Sequence, residues 1–556
     1  MGEAGLEGLP HYMRRALCAV ALLALACLLA RSGRVGLAGD YVDPISKVAA
    51  QDEALYGHSA IRMARQGGWL TPMFMGRYGL YKPPLLMWAS GLSARILGVS
   101  RLALRLPVAL LASLAVGLVF LWAAELRSWQ AGAFAAALLV SNHLWHVVGG
   151  MCLTDGLLAA FYTAAMFCLF SDPWLESRLA LWGFAGSAAA AILTKSVAGA
   201  LPLGALALYW VAAPRNQRPA FSRVCGAAAL ALALAAPWFA YQMAVHGRWF
   251  WTEHIGVEIL GFGAGAPPQT SRENHALFYL MRLALVDPVL TAAALVAAPW
   301  FVMELRRRSA GAVLLLSWLA VPLAAAFTWR YRNIAYLLPV IPALAIVAAS
   351  YGPRESRRSA AWMLALAGAA FVAKAATPAA PWGISFRSGT NIVAAPLISD
   401  YCERGRANEL VLVAPNDELY ASVLPLPKVR YCLIGQSAPA GQYGLDFAYM
   451  GIILTAAQFA DLRHWQPVFE RRLREWGLDS AEPVGTVVYA ASPDDLALIV
   501  RAHPESDFFF PEEFRTAVAP AAQSTHDLAE ASPHHFFLLS RQSPPAPVTG
   551  KRACRL

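Results

Sequence analysis

Residues 104–124 read LRLPVALLASLAVGLVFLWAA, an apolar run broken by one charge near its start, Arg105. A run of this length suits a helix crossing a bilayer, which takes about 20 residues. A large soluble protein hides one such helix in its core. It does not hide a series, and this run belongs to a series: residues 16–37, 131–148, 156–171, 179–194, 196–213, 224–243, 283–303, 311–327, 334–350 and 360–376 are also apolar. Only 14% of the chain is charged, against about 25% in soluble domains. The chain therefore reads as a polytopic α-helical membrane protein with about eleven to thirteen spans, because short adjacent runs merge or split.

Basic loops set the orientation. Arg14 and Arg15 precede the first run and place the N-terminus in the cytoplasm. Alternation puts three loops on the same side, 215–223, 304–308 and 354–358, and each carries three arginines. The chain beyond residue 380 then lies on the opposite face, in the periplasm of a bacterial inner membrane. A secretory signal is the rival reading of residues 14–30, and its removal leaves the rest of the topology unchanged. The net charge of +10 fits these loops facing anionic lipid. No nucleic-acid signature is present, so the expected partners are the bilayer and lipid-borne molecules.

The chain divides into three regions. Residues 1–380 form the membrane domain, with a first exported loop at 38–103 and a later one at 244–282. The first loop carries amphipathic stretches at 45–66 and 83–98, suited to helices lying in the membrane interface. Residues 381–515 alternate strand-like and helical runs and predict a soluble α/β domain. The Ala/Pro/Ser/His-rich composition of 516–556 predicts an extended or partly disordered tail. Cys402 and Cys432 fall in the exported domain, where a disulfide is chemically allowed.

Charged groups beside spans are costly and mark function or structural ion pairs. On the exported face the topology gathers Asp52, Glu53, Lys82, Asp155, Lys195, Glu253, His254, Arg330 and Arg332. Carboxylates and cations together on one membrane face suit a reaction on an anionic lipid-anchored substrate. A departing phosphate needs cations, and an acceptor hydroxyl needs a carboxylate to take its proton. Lys82 is fixed by Pro83 and Pro84. Arg330 and Arg332 offer guanidinium forks for phosphate, with snorkelling to headgroups as the plain alternative. Asp155 serves as a site carboxylate, as a helix cap, or both. Of the neighbours Asp52 and Glu53, which point about 100° apart on a helix, one faces the site. Lys195 interrupts an apolar tract and approaches lipid phosphate or caps a buried face. His254, beside Glu253, is a candidate for metal ligation or proton transfer, or is structural.

In order, the chain carries Asp52-Glu53, Gly67-Gly68-Trp69-Leu70-Thr71-Pro72, Lys82-Pro83-Pro84-Leu85, Arg105-Leu106-Pro107, Thr154-Asp155-Gly156, Leu193-Thr194-Lys195-Ser196, Glu253-His254-Ile255, and Tyr336-Leu337-Leu338-Pro339. This series resembles the lipid A aminoarabinose transferases and the bacterial protein-mannosyltransferase-like proteins, both of the GT-C glycosyltransferase superfamily. The resemblance covers about residues 45–350. It implies a polyprenyl-phosphate sugar donor, usually undecaprenyl phosphate, and inverting transfer on the periplasmic face to lipid A, lipopolysaccharide or another envelope acceptor. It further implies Asp52 as catalytic base with Glu53 its neighbour, and Lys82 on lipid phosphate. Asp155 would stand near the catalytic centre, with His254 and Tyr336 at matching family positions. Relatives carry Glu before Lys-Pro-Pro, implied to share a divalent metal with the histidine. Here that position is Tyr81, a poor metal ligand with a pKa of about 10, which argues against a metal between 81 and 254. No other cofactor is expected. A transporter or flippase for lipid-linked sugar is the competing reading, and a non-catalytic envelope-assembly subunit is another. A transporter gathers its ionisable groups at the midplane rather than at one interface.

Overall fold

A computed structural model describes residues 50–74, 77–265, 277–330 and 332–352 of the membrane part. Beyond them it describes 410–415, 429–434, 452–455, 486–490, 493–532 and 535–542, with a few single positions. The apolar runs 16–37 and 360–376 and the Cys402–Cys432 pairing lie outside this description.

Before the first long apolar helix stand two short ones, α1 (Ala50–Gln66) and α2 (Leu85–Leu97), joined through a two-stranded turn of β1 (Met73–Phe74) and β2 (Arg77–Tyr78). Both helices fall on the stretches expected to be amphipathic. Gly67 and Gly68 end α1 with φ of 84° and 71°, backbone angles that glycine adopts without strain. The membrane bundle continues as α3 (Arg101–Leu126), α4 (Trp129–Ser141), α5 (His143–Val148), α6 (Thr154–Ser171), α7 (Arg178–Gly199), α8 (Leu201–Ala212) and α9 (Phe221–Phe250). The last of these runs on as a π-helix over Trp251–Gly265. Then come α10 (Phe278–Val286), α11 (Pro288–Arg306), α12 (Ala310–Thr328), a 3-10 segment Ile334–Val340 and α13 (Ile341–Ser350). Among the described residues six helices are long and apolar enough to cross a membrane, and four apolar ones are shorter. The chain is a multi-pass membrane protein.

Small residues let these helices approach closely, as lipid-embedded packing requires. Ala112, Ala115, Ala159, Ala185 and Ala188 are buried between them. Gly156 sits where a Cβ would meet the Val148 carbonyl at 2.7 Å and the Val108 side chain at 2.9 Å. That closeness seats the start of α6 against α3 and α5. Trp318 packs its ring against that of Trp122, tilted by 38° with centres 5.4 Å apart, and donates its indole N–H to the Pro339 carbonyl at 2.8 Å. The donated bond satisfies a polar atom that would be costly in hydrocarbon.

The N-terminal ends of α6 and α8, the C-terminal ends of α7 and α12, the π-helix after α9 and the loop between β2 and α2 come together: Thr154, Leu201, Lys195, Ala326, His254 and Lys82 line one cavity.

The C-terminal part is a mixed sheet of seven strands among the described residues. They are β3 (Leu410–Pro415), β4 (Val429–Ile434), β5 (Ile452–Thr455), β6 (Thr486–Ala490), β7 (Asp507–Pro511), β8 (His526–Ser532) and β9 (His535–Ser540), in the order β5-β6-β4-β3-β7-β9-β8. The first five in that order run parallel, while β9 pairs antiparallel with both β7 and β8. Helices α14 (Pro493–Ala502) and α15 (Arg515–Ala522) accompany it. Among the described residues this corrects the first part of the expected tail, where α15, β8 and β9 form; residues 543–556 lie outside the description. Composition hid this, because the closing strand depends on a short apolar core, Phe536, Phe537 and Leu538, buried against Phe508 to Phe510. One apolar cluster joins Val411, Leu496 and Phe508 of this domain to Leu80, Trp238, Trp249 and Phe250.

Candidate active site

A cavity of about 330 Å³ opens where those helix ends converge. Asp52, Tyr81, Lys82, Asp155, Lys195, His254 and Tyr336 line it, so seven expected residues from six distant segments meet in one place. Leu158, Leu201, Pro322, Ala325, Ala326 and Pro339 supply an apolar wall. Polar groups on one side and aliphatic groups on the other suit a ligand that is itself part polar and part lipid.

Asp52 and Glu53 divide as adjacent helical residues must. Asp52 faces the cavity. Burial pushes its carboxyl up to about 6, with Glu258 and Asp155 acting in the same sense and Lys82 and Lys195 opposing. A carboxylate tuned toward neutrality is better matched to proton transfer. Glu53 does not line the cavity. Arg105 grips it with two N–H groups, Nε and Nη2, each 2.6 Å from a carboxylate oxygen, and the Cys152 N–H adds a bond of 2.8 Å. Burial alone would raise the Glu53 carboxyl, but Arg105 and these hydrogen bonds hold it below its usual value. The pair ties α1 to α3 and to the chain entering α6. Glu53 therefore takes a structural place, and the catalytic expectation narrows to Asp52 and Asp155.

Asp155 stands in the first turn of α6 rather than at its cap. Its Oδ1 accepts from Lys195 Nζ at 2.6 Å, and that ammonium lies 5.0 Å from the Tyr336 ring centre. Lys195 reaches this point because α7 breaks there. Lys195 and Ser196 have non-helical backbone, and Ser196 has φ of 49° and ψ of −122°. A residue with a Cβ is strained at such angles, by roughly 1–3 kcal/mol, and strain of this kind gathers at functional sites.

Ser196 Oγ lies 2.9 Å from His254 Nε2, and His254 Nδ1 lies 2.8 Å from the Leu80 carbonyl. The carbonyl only accepts, so Nδ1 carries the proton, and in the neutral ring Nε2 accepts from the serine. The ring is also stacked on Phe250 at 4.9 Å. Glu253 completes the arrangement: its Oε2 accepts from the Leu80 N–H at 3.1 Å and from the Trp249 indole at 3.0 Å. Both polar groups of Leu80 are thus held by two consecutive side chains, and Leu80 leads directly into Tyr81-Lys82. Glu253 and His254 act as a clamp on the lysine loop. Glu253 does not line the cavity, and both nitrogens of His254 have protein partners.

Tyr81 is buried with its ring 6.2 Å from that of Tyr56. Among the described residues no three of His, Cys, Asp and Glu cluster as a metal site would.

Arg330 and Arg332 lie outside the cavity wall. The Arg330 N–H is bonded to the Gly263 carbonyl, and the Arg332 guanidinium lies over the Tyr279 ring at 6.0 Å. Their neighbours Trp329 and Asn333 line the cavity instead. The structure does not bring the two arginines into the cavity wall with Lys82.

Three residues were given no role from the sequence. Glu258 lines the cavity and forms an ion pair with Lys82. Arg105 holds Glu53, and Ser196 holds His254. Glu258 and Arg105 are lone charges in apolar stretches, a signal that was present. Ser196 carries no such mark.

Comparisons with known proteins bear on the fold and on the family resemblance. The family model described as dolichyl-phosphate-mannose-protein mannosyltransferase matches residues 81–241. The chain is 26% identical over 315 residues to the undecaprenyl phosphate-alpha-4-amino-4-deoxy-L-arabinose arabinosyl transferase of Pectobacterium carotovorum, covering 54% of each chain. The chain thus spans about half the length of that curated relative. Among solved structures, ArnT from Cupriavidus metallidurans bound to undecaprenyl phosphate superposes with a TM-score of 0.61 at 16% identity, over 95% of this chain and 97% of that one. The archaeal oligosaccharyltransferase AglB from Archaeoglobus fulgidus, in complex with an inhibitory peptide and a dolichol-phosphate, gives 0.50 at 13%, over 96% and 75%. At these identities the solved structures establish the fold. The resemblance to the GT-C glycosyltransferases, and to the aminoarabinose transferases in particular, is borne out.

Proposed function

We propose that this chain, a GT-C-fold membrane protein similar to the aminoarabinose transferases, moves a sugar from a polyprenyl-phosphate donor to an envelope acceptor. Lipid A or lipopolysaccharide is the leading acceptor, and the periplasm is the side of the reaction. The observation that carries this reading is the meeting of Asp52, Lys82, Asp155 and Lys195 in one cavity at one end of the bundle. A flippase is disfavoured by the same observation, since the charges sit at the helix ends rather than at mid-height.

The chemistry derives from those four side chains. The lipid phosphate docks on Lys82, with Lys195 as a second cation, and the prenyl chain lies along the aliphatic wall. An acceptor hydroxyl approaches the anomeric carbon from the face opposite the phosphate. As its oxygen bonds to that carbon, the carbon–oxygen bond to phosphate breaks and its electron pair leaves on the phosphate. Lys82 and Lys195 stabilise that charge. The hydroxyl proton passes to Asp52, whose raised pKa suits it to the task. One displacement inverts the anomeric configuration. Asp155 keeps Lys195 turned toward the cavity. The chain's own cations and carboxylates suffice for each step, so no metal is assigned.

Mass spectrometry of lipid A and envelope glycans from a strain lacking the protein tests the reading. Loss of one defined sugar substituent, restored by the wild-type gene but not by Asp52→Asn, is expected. An unchanged envelope would count against it.

A further inference from the structure

Lys82 is not waiting open for a phosphate. Its ammonium is paired with Glu258, carried on the π-helix that succeeds α9. The Glu258 side chain is only 9% exposed. One of its oxygens takes Lys82, and the other, Oε1, is buried without a hydrogen-bond partner among the described residues. A buried carboxylate oxygen left unpaired is costly, so the carboxylate is not there to satisfy the fold. It faces the cavity with half of its hydrogen-bonding capacity idle.

The charges around it are unbalanced. Asp52, Asp155 and Glu258 oppose Lys82 and Lys195 in the cavity wall, three carboxylates against two ammonium groups. A donor phosphodiester brings a single negative charge. The lipid phosphate left after transfer is a monoester, with about −1.5 to −2 at neutral pH. Any phosphate must first take Lys82 from Glu258, and that cost is common to donor and product. Repulsion from the displaced carboxylate grows with the charge on the phosphate, so it falls more heavily on the product.

We infer that Glu258 is a positioning residue for Lys82, which holds the lysine between turnovers, yields it to the donor and reclaims it from the product lipid phosphate. The carboxylate thereby promotes product release. This rests on the proposed role of Lys82 at the donor phosphate.

The test measures binding of undecaprenyl phosphate to the full chain in lipid nanodiscs. Glu258→Gln keeps the shape and removes the charge, and it should bind the lipid phosphate on the order of threefold to tenfold tighter than wild type. Glu258→Asp keeps the charge and should stay near wild type. Lys82→Ala should lose most binding. A variant that merely damages the fold would bind more weakly, so tighter binding separates the two explanations. Unchanged or weaker binding by Glu258→Gln, with Lys82→Ala still impaired, overturns the inference and leaves the proposed function standing. Wild-type binding by Lys82→Ala overturns both.

Discussion

Glu53 and Arg105 meet through two parallel hydrogen bonds, each 2.6 Å long, while the residue beside Glu53 turns into the cavity. The ion pair fixes the rotation of α1 and hence the direction of Asp52. Arg105 is 3% exposed and Glu53 14%, so removing one partner strands a charge. Arg105→Ala should therefore cost about 3 kcal/mol of stability. Thermal unfolding in detergent measures it, and an unchanged midpoint would show that the pair is not needed to hold α1.

Asp52→Asn should cut turnover by at least about 100-fold, the usual contribution of a general base, while thermal stability at neutral pH is kept or raised, since the neutral amide removes the cost of a buried charge. With its carboxyl pushed up to about 6 by burial, Asp52 is protonated below that pH and cannot accept a proton. Turnover should fall as pH drops through about 6 in wild type. The same raised pKa favours the protonated folded state, so ionising Asp52 costs stability as pH rises from about 4 to about 6. A pH–rate profile flat through this window would remove Asp52 from the role.

Lys82→Ala should raise the donor KM by on the order of tenfold, the loss of one charged contact to phosphate. Acceptor KM should move little. An effect on the acceptor alone would move Lys82 away from the donor.

The clamp on Leu80 separates two roles for His254. If it positions the lysine loop, His254→Ala should lower turnover by on the order of tenfold or more, because small displacements at a reacting centre are expensive. A metal chelator should leave the proposed activity of the wild-type protein within about a factor of two. Sharp loss of activity on chelation, restored by a divalent cation, would contradict the reading drawn from Tyr81.

Much of this architecture is legible in the sequence, for definite reasons. The bundle comes from apolar runs such as 104–124 and 311–327, because hydrocarbon leaves the backbone few alternatives. Asp52, Lys82, Asp155 and Lys195 are legible because alternation of spans sends each to the same face. The closing strands 526–540 are not, since their β pairing depends on partners distant in sequence. Which of Asp52 and Glu53 faces the cavity is not legible, because a neighbour relation in sequence does not say which carboxylate Arg105 takes. Arg330 and Arg332 are cations on the right face, but side-chain direction sends them outside the cavity wall. The clamp is invisible, for it grips a backbone peptide at Leu80 that has no signature in sequence.

The most direct measurement supplies purified full-length protein with undecaprenyl-phosphate sugars and an envelope acceptor and monitors release of undecaprenyl phosphate. Acceptor-dependent release by the wild type, abolished in Asp52→Asn, is predicted. No release from any such donor, or equal release by Asp52→Asn, would contradict the account.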